Sequence, residues 1–339
     1  MRLSEQDALK LVARAFERAG VPKTGAAAAA EILTIAQMMG LNTHGLSRVA
    51  TYRDRMKVGG ITASAVAKIT ATAPSIRTVD GANALGPAVA HQSLYAAIEV
   101  AETQGAAVVL CRNANHLGAL APYLFLASRA GMASIITSNT APMIAAEGGQ
   151  RQAIGNNPLG IGMPNPGGAP VLLDMSMSVV SRSRVRAMAA AGETIPETWA
   201  TDINGRPTTD PAKALEGLMQ AIGGAKGSRL ALCLDLLAGG LSGAAMLSAI
   251  PNSVRSPEKP QNLGQMFVLI DTRKIMDPEE LSHQMRTASE SLSNSGQSDP
   301  NQPIRFPGAR AMAAFDIARE KGLEITPALF NQLTSLAAD

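Results

Sequence analysis

The chain has 339 residues, 46% of them hydrophobic, 3% aromatic and 17% charged, with a formal net charge of +3. That length and apolar content are enough to bury a large core divided over two or three domains. The basic excess is small and spread out, and the few aromatics offer no base-stacking surface, so a nucleic-acid partner is not expected.

Taken in chain order, residues 4–58 read as helical. Ser4 suits an N-cap, and Leu9, Leu11, Val12 and Phe16 form an apolar stripe that Gly20 and Pro22 end. A second helix runs through Ala29, Ile32, Leu33, Ile35 and Met38 to Gly40. A third carries Arg48, Tyr52, Arg55 and Met56 and ends at Gly59-Gly60. Then the texture changes. Ile76 to Val79 reads as a strand, Val89 to Thr103 as an amphipathic helix and Ala106 to Leu110 as a buried strand. Leu120 to Ala130 reads as a helix, while Ala133 to Thr137, Leu159 to Met163, Val171 to Leu173 and Met266 to Ile270 read as strands. Ser291 to Gln302 is rich in Ser, Asn, Gln and Pro and reads as a linker or long loop. Helices at Ala309 to Lys321 and Thr326 to Leu336 close the chain. Strands interspersed with helices give an α/β or mixed α+β class, with the helical ends packed around the central region.

Cys111 and Cys233 both sit in apolar stretches and read as reduced core residues. The opening Ser4-Glu5-Gln6-Asp7 is too polar for a signal peptide, and no apolar run approaches the roughly 18 residues of a membrane span. A soluble, cytoplasmic protein is expected.

Two of the four histidines stand beside glycine in turn-like settings, in Asn42-Thr43-His44-Gly45-Leu46-Ser47-Arg48 and Asn113-Ala114-Asn115-His116-Leu117-Gly118. Imidazole titrates near neutrality, and the planar fork of arginine grips a carboxylate. If the third helix starts near Gly45, His44 and Arg48 lie one turn apart on one side. That would suit a proton donor and an anion clamp for a small 2-oxo or 2-hydroxy acid; the spacing equally allows structural roles.

Other motifs are tested in the same way. Gly160-Ile161-Gly162-Met163-Pro164-Asn165 is not a Rossmann phosphate loop, because the third glycine is missing and Pro164 and Pro166 would break the helix start. Gly223-Gly224-Ala225-Lys226-Gly227-Ser228 offers backbone amides and a lysine, or is a plain turn before a helix at Leu230 to Leu237. Neither zinc-ligand spacing nor a G-x-S-x-G elbow occurs. Asp174-Met175-Ser176 ends a strand and either caps a helix or meets ribose hydroxyls. Gly155-Asn156-Asn157-Pro158 reads as a tight turn. Arg182, Arg184 and Arg186 splay around a helix, so at most one or two face a pocket. Trp199 reads as a packing anchor, and His91 and His283 as structural.

Thr43-His44-Gly45 with Arg48 and Tyr52, Asn115-His116 with Gly118, Ser138-Asn139, Gly155 with Asn157-Pro158, Asp174-Met175, Gly224 with Lys226-Gly227, Leu241-Ser242-Gly243 and Pro307-Gly308 share an order and spacing. In that order they resemble the malate/L-lactate dehydrogenase family, which lacks the Rossmann fold and also holds ureidoglycolate, sulfolactate and Δ1-piperideine-2-carboxylate reductases. The likeness covers nearly the whole chain. It implies hydride transfer between NAD or NADP and a small 2-hydroxy or 2-oxo acid; the alternatives are a reductase of cyclic imine acids or a catalytically inactive binding homologue. It also implies a homodimer, an NAD(P)-binding domain with a mixed or antiparallel sheet at 63–302, and a helical, substrate-side domain from 1–62 and 303–339.

By this likeness His44 is the acid/base, Thr43 orients it, and Arg48 holds the substrate carboxylate. Tyr52, Asn156, Arg182 and Arg184 complete the substrate side. His116 is the acid/base in some relatives and part of the cofactor loop in others. The implied cofactor contacts are His116, Leu117, Gly118, Ala119, Leu120, Asp174, Met175, Ser176, Ala225, Lys226, Pro307 and Gly308, with no metal. Departures from the family pattern are Thr43 for a common Ser, Asn156 for Thr, Ser183 for Gly and Ala309 for Glu. Arg184 replaces an Asp of the imine-acid reductases, which tilts the expectation toward an oxo or hydroxy acid.

Overall fold

The structure, a computed structural model, describes residues 1–299 and 301–338. A two-residue strand, β1 (Arg2–Leu3), leads into α1 (Glu5–Arg18). The Ser4 hydroxyl accepts the Asp7 amide at 3.1 Å, as its N-cap position requires. Ala8, Val12, Ala15 and Phe16 form the buried stripe of α1. α2 (Lys23–Met38) follows Pro22 and is buried from Ile32 to Met38; α3 (Arg48–Lys57) starts only at Arg48.

The middle of the chain builds a sheet. β2 (Lys68–Ala73), β3 (Ile76–Asp80), α4 (Gly86–Gln104), β4 (Ala106–Ala114), α5 (Ala121–Arg129) and β5 (Met132–Ser138) come first. A small hairpin of β6 (Ile144–Ala145) and β7 (Gln152–Ile154) precedes β8 (Leu159–Met163) and β9 (Val171–Met175). Then come α6 (Arg182–Ala191), β10 (Ala200–Thr201), α7 (Pro211–Glu216), β11 (Leu218–Met219), α8 (Ala225–Asp235), β12 (Leu263–Asp271) and α9 (Pro278–Asn294). α10 (Ala309–Lys321), β13 (Leu323–Glu324) and α11 (Pro327–Ala338) close the described chain.

Seven strands form one sheet in the order β2-β3-β4-β12-β5-β8-β9. Only β3 and β4 run parallel; every other pair is antiparallel. A Rossmann domain needs a parallel, doubly wound sheet, so this mixed sheet is the non-Rossmann architecture expected. The Gly160-Ile161-Gly162 run has a packing cause. On the inner face of β8, a Cβ on Gly160 would stand 3.1 Å from the Leu120 Cβ, and one on Gly162 would stand 3.2 Å from the Leu124 Cβ. Glycine lets α5 lie close to the sheet.

α4 and α5 cover the inner face, where Val109, Phe267 and Ile136 are fully buried. The terminal helices join the same core: α1 packs on α2 and α11, and α10 packs on α2. A second, smaller core gathers Ile144, Ile154, Met177, Val185, Ile195, Met219, Ala231 and Leu234.

Two expectations are corrected, and one strand had not been read. The stretch from Ser291 is not all linker, because α9 continues to Asn294, helped by a Ser293 hydroxyl that donates to the Ser289 carbonyl at 2.9 Å. Cys233 is exposed on α8, whereas Cys111 is buried as expected. β2 falls in a stretch where no element was read: its Thr70 and Thr72 alternate with Ile69, Ala71 and Ala73, and it pairs with β3 at the sheet edge, where exposure blurs the pattern.

Candidate active site

Residues 42–47 form turns, so His44 precedes α3 instead of lying one turn before Arg48 on it. α2 holds this turn: Gln37 Nε2 donates to Asn42 Oδ1 at 2.8 Å, and Gln37 Oε1 accepts the Leu46 amide at 3.2 Å. The two groups still meet, by another route. Thr43 Oγ1 lies 3.0 Å from His44 Nδ1, and Arg48 Nε donates to the Thr43 carbonyl at 2.6 Å.

His116 arrives on the irregular loop after β4. This loop crosses directly over the start of α4, where a Cβ on Gly86 would stand 2.2 Å from the His116 carbonyl oxygen. Asn115 is fully buried and donates through Nδ2 to the Asn83 and Ala84 carbonyls. Its Oδ1 accepts from Arg55 at 3.0 Å, and Arg55 also donates to Gln261 and to the Gly60 and Lys259 carbonyls. Arg55 is therefore a buried clamp beneath the loop.

The His116 tautomer follows from its partners. Nδ1 accepts the Gly118 N–H at 3.3 Å, so it carries no proton, and the Tyr52 hydroxyl 2.8 Å away must donate to it. The network thus assigns the proton to Nε2. The Tyr52 hydroxyl stays protonated, since burial pushes its pKa up to about 12 against the opposing charges of Arg48 and Arg55.

Both imidazoles are neutral here. His44 is held down to about 4, first by burial and then by the Arg48 charge. His116 lies well below the ordinary histidine range, through burial and then the charge of Arg48 and its neighbours. The two rings stand 5.8 Å apart, centroid to centroid.

A cleft of about 410 Å³ brings most of the expected residues together. His44, Arg48, the whole stretch His116 to Leu120, Asn156, Asp174, Ser176 and Arg182 line it. Thr43 and Tyr52 act behind this wall through His44 and His116. Arg184 does not reach the cleft: it is exposed, with its guanidinium 5.3 Å from the Trp199 ring. Met175 is in β9 but outside the lining. Asp174 caps a helix, though not the one that follows it: Oδ2 accepts the Leu120 and Ala121 amides at the start of α5, 2.8 and 2.9 Å away. Burial raises its carboxyl pKa, and these two amides oppose the rise.

Pro307 and Gly308 line a second cavity of about 940 Å³, which shares Leu41 and Asp174 with the first. Ala225 lines a separate pocket near Gly224 at the α8 start, and Lys226 lines neither of the two cavities. Among the described residues, no group of three or more His, Cys, Asp and Glu could hold a metal ion, and no helix is long and apolar enough to cross a membrane. His91 pairs with Glu31 at 2.8 Å between α2 and α4, away from the cleft.

Several lining residues were missed from sequence. Thr140, Asn252, Arg255 and Gln261 all line the cleft, and Arg186 joins Arg182 there as the second of the α6 arginines that could face a pocket. Arg255 and Gln261 lie in a Pro-rich stretch with no periodic signal. Only the excess of arginine near α6 was visible in advance.

Residues 3–334 match the family described as malate/L-lactate dehydrogenase, and the chain belongs to that family. It is 33% identical to the (2R)-3-sulfolactate dehydrogenase (NADP(+)) of Chromohalobacter salexigens, over 99% of this chain and 98% of that one. It is 28% identical to the ureidoglycolate dehydrogenase (NAD(+)) of Escherichia coli K12, over 99% of this chain and 95% of that one. The solved sulfolactate dehydrogenase of Methanocaldococcus jannaschii superposes with a TM-score of 0.90 at 31% identity, covering 100% of this chain and 97% of that one.

Proposed function

We propose that this protein is an NAD(P)-dependent dehydrogenase of small 2-hydroxy acids, and in reverse a reductase of 2-oxo acids. The observation that carries this reading is the convergence of His44, Arg48 and the His116 to Leu120 loop on one cleft. The two neighbouring cavities suit a dinucleotide: the first offers the 116–120 backbone, Asp174 and Ser176, and the second offers Pro307-Gly308 with Arg305 and Arg310 for phosphates. When bound, that cofactor accepts or supplies the hydride. The relatives' names include both nucleotides.

The residues then divide the work. Arg48 grips the C1 carboxylate and sets C2. His44 can donate its Nδ1–H to Thr43 Oγ1 and so present an unprotonated Nε2 as base for the C2 hydroxyl proton. His116 cannot be that base, because its Nδ1 is taken by two donors and its Nε2 already carries hydrogen. It is instead a neutral N–H donor to the C2 oxygen, held in place by Tyr52. The experiment is a panel of oxaloacetate, pyruvate and Δ1-piperideine-2-carboxylate with NADH and NADPH. Turnover of an oxo acid is expected; turnover of the imine alone, or nucleotide binding with no turnover, contradicts the proposal.

We also propose the division into a sheet domain at 63–302 and a helical domain from both ends, a cytoplasmic setting that suits two free cysteines, and a homodimer. The outer sheet face supports the dimer. Ile76, Val108, Val268, Ile135, Ile161 and Leu173 stand in register across six strands. Ile135 and Ile161 remain 42% and 40% exposed, beside exposed Leu236, Leu237 and Leu241. Ile135→Asp with Ile161→Asp should give a folded monomer by light scattering; an unchanged mass would contradict this surface.

A further inference from the structure

The Ser138-Asn139 and Gly155 to Pro158 segments meet at a buried carboxylate that the hydride and proton steps do not use. Asp235 ends α8, is fully buried and forms no ion pair among the described residues. Its oxygens face two fully buried asparagines: Oδ1 accepts from Asn139 Nδ2 at 3.2 Å, and Oδ2 accepts from Asn157 Nδ2 at 3.3 Å. Burial raises its pKa, and the Asn139 and Asn157 donors oppose the rise. An apolar side chain there would avoid the cost of burying a charge without a counter-ion. What the carboxylate adds is direction, because both of its oxygens only accept.

Each asparagine is oriented at both ends. Asn139 also donates to the Ala245 carbonyl at 2.8 Å, and its Oδ1 accepts the Gly264 amide at 2.8 Å. Asn157 also donates to the Ala231 carbonyl at 2.8 Å, and its Oδ1 accepts the Thr140 amide at 2.9 Å. Reversing either side chain would set donor against donor and acceptor against acceptor. A Cβ on Gly155 would stand 2.3 Å from Asn157 Oδ1 and 2.4 Å from Thr140 Oγ1, so glycine there leaves the path open.

That path leads to the cleft. The Thr140 hydroxyl stands 3.4 Å from Asn157 Oδ1, which the Thr140 amide already fills, and 2.8 Å from Asn156 Oδ1. Its proton therefore goes to Asn156. Thr140 and Asn156 both line the cleft with His44 and Arg48. With Oδ1 engaged, Asn156 has only Nδ2 left to offer, and among the described residues that group is neither hydrogen-bonded nor enclosed. We propose that Asp235, Asn157 and Thr140 form a positioning relay, which turns the Asn156 side chain so that its Nδ2–H2 is presented to the acid in the cleft as a neutral donor.

This inference rests on the dehydrogenase reading for its acid, but it can be tested without turnover. Lactate and malate are titrated calorimetrically into the enzyme in the presence of NADH or NADPH, a pairing in which no hydride can move. Asn156→Ala should weaken acid binding roughly tenfold or more, the scale of a lost hydrogen bond to a charged group. Thr140→Val should weaken it roughly threefold or more, and Thr140→Ser, which keeps the hydroxyl, should retain most of the affinity. Asp235→Asn sets an NH2 group against one of the two asparagines and should weaken acid binding as well. On the Asn156→Ala background, Thr140→Val and Asp235→Asn should each cost nothing further, because the donor they act through is already gone. Losses that multiply on that background, or a Thr140→Ser that binds no better than Thr140→Val, would overturn the relay. So would a loss confined to nucleotide affinity, which assigns the Asn156 donor to the cofactor, or a wild type that binds neither acid. Should Asp235→Asn fail to fold, the Thr140 cycle decides alone. If an oxo acid turns over while the losses multiply, the relay fails and the dehydrogenase reading stands. If the cycle is non-additive but no acid turns over with either nucleotide, the reverse holds.

Discussion

The two groups of side chains that meet in the cleft are supported in opposite ways. His44, Arg48 and His116 stand on the large core, and fixed partners hold them: Thr43, Tyr52, the Gly118 amide and, beneath the loop, Arg55 with Asn115. The α6 arginines and Arg255 stand beside the smaller core, with Arg186 and Arg255 exposed and only Arg182 tied to a carbonyl. The contrast separates two demands. A proton transfer needs atoms placed to within about half an ångström, so its residues are locked. An electrostatic contact needs only charge in roughly the right place, which long flexible arginines supply.

Variants can break that contrast on its rigid side. His44→Ala should lower turnover about a hundredfold or more, the usual scale for a lost acid/base group, as read by steady-state kinetics. Arg48→Ala should act mainly on KM for the acid, raising it roughly tenfold or more, because the carboxylate loses a charged donor in both ground and transition state. Tyr52→Phe leaves His116 Nδ1 with the Gly118 amide alone; a stability loss of about 1–2 kcal/mol by urea unfolding is expected, with His116 free to change tautomer. Equal effects from Arg186→Gln and His44→Ala on turnover would erase the distinction.

The smallest effect concerns pH and stability. His44 in the folded chain sits at about 4, against 6.5 for an unperturbed histidine, and His116 is shifted the same way. Between those values the unfolded chain binds more protons, so their contribution to stability is complete above pH 6.5 and is lost as pH falls toward 4. Melting temperatures should drop over that window, and His44→Gln should flatten the drop. An unaltered slope would mean that His44 is not desolvated.

Much of this was legible in the residues because local signals agreed with the tertiary result. Ser4, the stripe of α1, β8 and the closing helix from Ala309 were readable from caps and periodicity. The nearness of His44 and Arg48 was readable from their spacing, but that they share one cleft with His116 and Asp174 was readable only through family likeness, since the four come from three separate segments. What could not be read depends on contacts remote in sequence. Arg55 looked like one more charge on a helix, and its clamp on Asn115 and Gln261 spans up to 206 residues. Asp174 caps α5, 53 residues before it, so its neighbours could not reveal the helix it serves. Arg255 lies in a stretch without periodicity, where no pattern reports which way a side chain turns.

The central claim is that the working base is His44 and that burial, with the Arg48 charge added to it, holds its proton affinity down. The pH dependence of kcat/KM for hydroxy-acid oxidation tests it most directly, because that ratio reports the ionisation of the free enzyme. The wild-type enzyme, assayed briefly after storage at neutral pH, should lose activity only as pH falls through about 4, and Arg48→Gln should move that acid limb upward. A limb that stays in place when the Arg48 charge is removed, or one that persists unchanged in His44→Gln, would contradict the account.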